Sequence, residues 1–299
     1  MRTLIPVLLI CLRSSPLLAN PSPSFVQEDS LPLPTNFRAE YGDAIHIRDL
    51  RPKLKDVLAK CIHAERERFS GVQDLAYRDR VRALVIWGDP ADTSSRRVVN
   101  ETVTQNYFRA PDQAWSEPLG SREYDAAKRE TKVELDFDTG SSARRLSDLP
   151  FFFEDLDRYD FRIDDRRVVM SPAAHDSVGA NSGGMQDARV LYQIAFTPRS
   201  DFDATPEGWF LVDTSEYRIL HFEMRWTDNV PFPAFLKGID RVVVTRSKHG
   251  GVWLDDRIAG VIRLRSLPRF PSRVEFDLRT ERVRVNEGVA DSLFRARGR

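Results

Sequence analysis

The stretch ARVLYQIAFTPRSDFDATPEGWFLVDTSEYRILHFEMRW, residues 188–226, decides the fold. Val190, Tyr192, Ile194 and Phe196 alternate with Arg189, Leu191, Gln193 and Ala195, the period of two of a strand with one buried face. A polar connection from Pro198 to Glu207 follows, and Gly208 to Asp213 forms a second short strand. After a turn at Asp213, Thr214 and Ser215, Tyr217 to Trp226 gives a third strand. There Leu220, Phe222, Met224 and Trp226 are expected on one face and His221, Glu223 and Arg225 on the other. Strands joined this closely form an antiparallel meander, because a parallel crossover needs a dozen or more residues.

Alternation continues on both sides of this stretch. Arg80 to Gly88, Arg97 to Arg109, Thr131 to Phe137 and Phe161 to Val169 read as strands before it. Ile239 to Arg246 and Val252 to Arg265 follow it, with a hairpin turn at Lys248-His249-Gly250-Gly251. The last strand opens at Val274, Phe276 and Leu278 and changes phase before Val283 and Val285, which places a bulge or turn near Thr280. Ala110 to Arg129 is charged and irregular, and Ser171 to Asp187 reads as a polar loop. Ser147 and Asp148 are suited to cap a short helix carrying Phe151, Phe152, Phe153 and Leu156.

One segment has a different period. Leu54, Val57, Leu58, Cys61, Ile62, Glu65 and Phe69 recur at spacings of three and four, the stripe of an amphipathic helix running from Arg51 to Phe69. Asp49 is its expected cap. Cys61, His63, Glu65 and Glu67 do not converge on one face, so a buried cysteine among solvated charges is expected rather than a zinc site. The fold class that follows is mainly β (α+β): a curved antiparallel sheet or incomplete β-barrel, with the amphipathic helix across its concave face.

Residues 1–19 have the layout of a secretory signal: Arg2, an apolar run from Leu4 to Leu12, and Ala19 at the cut. The run is short of the about 20 residues that a membrane span needs. Residues 20–48, rich in proline at the start, read as an extended arm or linker, and residues 49–299 as one incomplete-barrel domain. Cleavage removes Arg2, Arg13 and Cys11, leaving a nearly neutral chain with Cys61 as its one thiol. No bulk charge favours nucleic acid, and no intrachain disulfide is possible. The expected location is the periplasm.

The pattern Tyr192-x-Ile194-x-Phe196-x-Pro198, then Gly208-Trp209-Phe210-Leu211-Val212-Asp213, then Tyr217-Arg218-Ile219 with the Phe222 strand, resembles the bacterial periplasmic lipoprotein carriers. These are the outer-membrane lipoprotein-sorting proteins and their wider superfamily. The resemblance covers chiefly residues 188–265, with support from the helix at 51–69. It implies an incomplete barrel with helices lidding an apolar cavity that shields acyl chains from water. The 110–187 region is longer than the family pattern, and neither Arg80 nor Arg82 is assigned as the arginine that fastens the lid.

Two functions compete. One is a periplasmic carrier for a lipid, acyl chain or lipoprotein, its cavity lined by Trp87, Trp209, Phe222, Trp226 and Trp253, with Phe232, Phe235 and Leu236 meeting a membrane or partner. The other is a non-enzymatic assembly or protein-interaction module of the cell envelope, and a helix that fills the cavity would favour it. No catalytic motif, metal or cofactor is expected. Gly-x-Ser-x-Gly and His-Glu-x-x-His are absent, and the adjacent pairs Asp164-Asp165 and Asp255-Asp256 point to opposite faces of their strands.

Overall fold

A computed structural model describes residues 45–46, 53–110, 113–125, 130–131, 150–170, 188–200, 202, 204–226, 229–265 and 270–295. The expected signal, the proline-rich arm, Asp49, the Ser147–Asp148 cap, most of the strand at Thr131 to Phe137 and the 171–187 loop lie outside them.

The elements in order are β1 (Ile45–His46), α1 (Leu54–Arg66), β2 (Asp74–Trp87), β3 (Arg96–Arg109), β4 (Gln113–Asp125) and β5 (Glu130–Thr131). Then come α2 (Phe151–Glu154), a 3-10 turn (Leu156–Arg158), β6 (Tyr159–Met170), β7 (Ala188–Pro198), β8 (Glu207–Asp213) and β9 (Arg218–Trp226). β10 (Leu236–His249), β11 (Val252–Leu264), β12 (Arg273–Val285) and α3 (Ser292–Arg295) complete them. Among the described residues the strands form one twelve-stranded antiparallel sheet, ordered β1-β6-β7-β8-β9-β10-β11-β12-β2-β3-β4-β5. Its two ends do not meet, so the wall stays open.

Two meanders, β2 to β5 and β6 to β12, are joined edge to edge by the β12–β2 ladder. β1 lies beside β6 while β2 lies beside β12, so the connection carrying α1 passes over the seven strands between them. The wall bends: β10 and β12, with β11 between, approach within 8 Å at their Cα atoms, where two flat spacings would be ~9.6 Å. Gly260 of β11 permits the approach, since a Cβ there would lie 2.7 Å from Phe276 Cζ and 2.8 Å from the Arg241 carbonyl oxygen.

The inner face holds one large core. Ala83 and Val85 of β2, Tyr192, Ile194 and Phe196 of β7, Phe210 and Val212 of β8, Val242 and Val244 of β10 and Val274 and Phe276 of β12 are all buried in it. α1 lays Val57, Leu58 and Cys61 on this floor, and α2 adds Phe152 and Phe153. Phe152 is sandwiched, its ring stacked 4.9 Å from both Phe196 and Phe210 and edge-on to Phe222 at 5.8 Å.

Three expectations change. α1 ends at Arg66 instead of Phe69, and Lys53 stands at its N-terminus without a side-chain cap. Beyond α1, Phe69 and Val72 instead join Leu75, Val252 and Leu254 in a separate cluster. The irregular stretch after Ala110 contains β4, paired along β3; its side chains are mostly exposed on both faces, so it has no alternation to read. A bulge at Leu220 puts Ile219, not Leu220, on the inner face with Phe222, Met224 and Trp226. The bulge expected near Thr280 is present, between Glu281 and Arg284, where Arg282 has φ 54.

Gly208 tests how tightly β8 and β9 are drawn together. A Cβ on it would stand 2.0 Å from the Glu223 carbonyl oxygen and 2.9 Å from Met224 Cα, both backbone. Gly208→Ala is therefore expected to cost about 1–3 kcal/mol, as overpacking does, read as a lower urea midpoint with an unchanged slope.

Candidate functional site

The inner face under α1 brings cover, wall and charge together. Glu65 lies on the buried stripe of α1, one turn after Cys61, and therefore faces the floor. On β10, Arg246 continues the inward phase of Val242 and Val244. Its Nη1 donates to Glu65 Oε2 at 2.8 Å and its Nε to Asp255 Oδ1 of β11 at 2.7 Å. The guanidinium also sits 5.7 Å from the Phe222 ring centroid. Arg68, just past α1, places Nη1 3.6 Å from Glu65 and 3.7 Å from Asp255.

Two cations and two acids thus form a neutral quartet at the edge of an apolar core. Burial works hardest against the Arg246 charge, yet Glu65 and Asp255 outweigh it and hold its pKa above the ordinary arginine value. For Arg68 the same two acids do not suffice: burial, then repulsion from Arg246, brings its pKa down to about 10. Burial, with the Glu65 charge behind it, pushes the Cys61 thiol up to about 12, so the thiol stays protonated and inert.

Arg246 ties α1 to the wall through Glu65, and sequence reasoning missed this contact. Arg80 and Arg82 instead make half-exposed ion pairs with Glu281 and Glu101. The expected solvated charge at Glu65 is corrected too, since its side chain is buried against Arg246. The signal was present, because an acid on an apolar stripe needs a buried partner.

The expected lining residues divide. Phe222 and Trp226 belong to the main core, and Trp87 packs partly buried against it under the Arg96 guanidinium, 4.8 Å away. Trp209 and Trp253 do not join them; they form a smaller cluster with Leu191, Leu211 and Leu220. For Trp209 the reason is alternation, because its neighbour Phe210 takes the inner face. Of the expected contact residues, Phe232 and Phe235 are exposed, while Leu236 is buried in the core and corrected accordingly. On the outer face of β9, His221 stacks on Trp209 at 4.8 Å, and Glu223 accepts from Arg241.

No family model matches the sequence, and no curated protein matches it. Solved structures do. A DUF1329 family protein from Desulfovibrio piger is similar at 12% identity and a TM-score of 0.32, over 82% of this chain and 98% of that one. An outer membrane lipoprotein-sorting protein domain from Vibrio parahaemolyticus is similar at 11% identity and 0.29, over 80% and 97%. A LolA superfamily protein from Nitrosomonas europaea is similar at 12% identity and 0.30, over 82% and 98%. Overlaps this loose bring no residue role across.

Three outcomes follow from the site. Removing one member of the quartet strands buried charge, so Glu65→Met is expected to cost about 3–5 kcal/mol, and adding Arg246→Met should recover much of it. A thiol reagent should leave Cys61 unmodified in the folded wild type and modify it faster in Glu65→Met. His221 supplies the pH dependence. Burial, then the Arg241 charge, lowers its pKa from 6.5 to about 4. In that interval the unfolded chain binds the proton and the folded chain does not. Stability should therefore fall as pH drops from about 6.5 towards 4, by on the order of 3 kcal/mol. His221→Phe should flatten that slope in urea titrations taken across the range.

Proposed function

We propose that the mature chain is a non-enzymatic carrier of the bacterial periplasm. It shields an acyl chain, as a lipid or an acylated protein, against the inner face of the wall. One observation carries this reading. A continuous apolar face from β6 through β12 to β2 is roofed by two short helices, which contribute Val57, Leu58, Cys61, Phe152 and Phe153. An acyl chain that replaces such a roof gains about 0.8 kcal/mol per buried methylene. α1 is held by the Glu65–Arg246 contact as well as by packing, and a polar fastening can exchange for water when the helix lifts. α2 is a four-residue helix whose Phe152 ring occupies the space between Phe196 and Phe210 where an acyl chain would lie.

The same ring favours a second reading. Phe152 is fully buried, so the floor is already filled by the chain itself. A wall that stays filled would serve as an envelope assembly or protein-interaction module, working through its surfaces alone.

Titration with a fluorescent fatty acid separates the two. The carrier binds it saturably, Phe152→Ala binds it more tightly because the competing ring is gone, and Trp226→Asp loses it. A folded wild type and a folded Phe152→Ala that both ignore the probe leave the assembly module. Mass spectrometry of organic extracts from the purified protein then identifies the cargo.

A further inference from the structure

The carrier reading leaves one end of the wall unused. The β9–β10 and β11–β12 connections emerge there side by side, tied by the Arg265 N–H donating to the Phe235 carbonyl at 2.8 Å and by Arg265 Nε donating to the Pro233 carbonyl. Three phenylalanines stand out of these connections: Phe232 at 50% exposed, Phe235 at 49% and Phe270 at 38%.

Phe232 is held out against its own backbone preference. Its φ is 58, in the left-handed region that bulky L residues avoid. The backbone N–H groups of Phe235 and Leu236 both donate to the Phe232 carbonyl at 3.0 Å, which locks this turn. Leu236 then enters the core. A segment that folded only to bury its apolar side chains would not place the Phe232 and Phe235 rings in water at the cost of strain.

By sequence, the two connections are mostly basic. The segments TDNVPFPAFLK (227–237) and RSLPRFPS (265–272) contain Lys237, Arg265 and Arg269 against the single acid Asp228. Lys237 and Arg265 are exposed, with no carboxylate partner among the described residues. The neighbouring acids Asp240 and Glu207 are taken by Arg263 and Arg225.

We propose that this tip docks on an anionic lipid surface. The three rings enter the boundary between headgroups and acyl chains, and Lys237 and Arg265 meet the phosphates. Aromatic and aliphatic groups beside basic ones bind such an interface, and the electrostatic part of the attraction weakens with salt. The inference stands on the tip alone and holds whether or not the wall carries an acyl chain.

Co-sedimentation of the mature protein with vesicles tests it. The wild type should bind phosphatidylglycerol-rich vesicles, bind pure phosphatidylcholine more weakly, and leave the anionic vesicles as salt rises. The exposed-residue variant F232S/F235S/F270S should lose binding to the anionic vesicles by about tenfold or more while melting like the wild type. K237E, a change at an exposed lysine, should weaken binding to anionic vesicles and leave the neutral ones unchanged. A wild type that ignores phosphatidylglycerol-rich vesicles overturns the proposal, whether or not the tip captures a protein. So does a triple variant that binds as well as its parent. Vesicle binding lost while fatty-acid binding persists would remove the tip and keep the carrier.

Discussion

The architecture depends on how α1 is threaded. Its connection starts at β1, beside β6, and ends at β2, beside β12, so it must pass over seven strands. In a flat sheet β1 and β2 would stand ~38 Å apart at ~4.8 Å per strand. A helix of 13 residues covers about half of that, at 1.5 Å per residue. Bending the wall brings its floor up to the helix and lets one stripe of α1 meet a face gathered from many strands. Gly260 belongs to the same constraint: a side chain there would push β10 and β12 apart and flatten the curve.

Apolar packing alone leaves the helix free to rotate or slide, since one greasy contact is nearly as good as another. The quartet removes that freedom. Arg246 has fixed donors aimed at two separate acids, Glu65 on the helix and Asp255 on the sheet. Only one rotation of α1 satisfies both. Such groups contribute little net stability, because desolvation offsets most of the attraction. Their physical effect here is registry, and the cost of losing one partner is what makes that registry sharp.

Much of this was legible in the sequence. The meander of β7, β8 and β9 followed from strict alternation and short connections, and the helical stripe from Leu54 to Glu65 from its spacing. What stayed hidden was pairwise. Nothing local in Arg246 identifies a partner 181 residues away. β4 could not be seen because a strand with both faces in water has no period. Trp209 and Trp253 looked like liners because composition marks aromatics without marking faces; alternation with Phe210 would have removed Trp209, but nothing local would have placed Trp253 beside Leu220. The Leu220 bulge shifted one strand by a single residue, which is enough to exchange its faces.

The core and the tip are parts of one segment. Trp226, Val230 and Leu236 are buried in the main core, while Phe232 and Phe235, between the last two, are exposed. The indole N–H of Trp226 donates to the Ala204 carbonyl at 3.3 Å, so the β7–β8 connection closes over the same end of the wall. Any force that draws the two rings outward is therefore transmitted along a few residues of backbone to Trp226, Val230 and Leu236. Those three side chains form the boundary between the packed floor and solvent. A surface that captured the tip would act first on that boundary, and α1, fastened at the opposite end of β10 by Arg246, would keep its register while the tip end of the wall loosened.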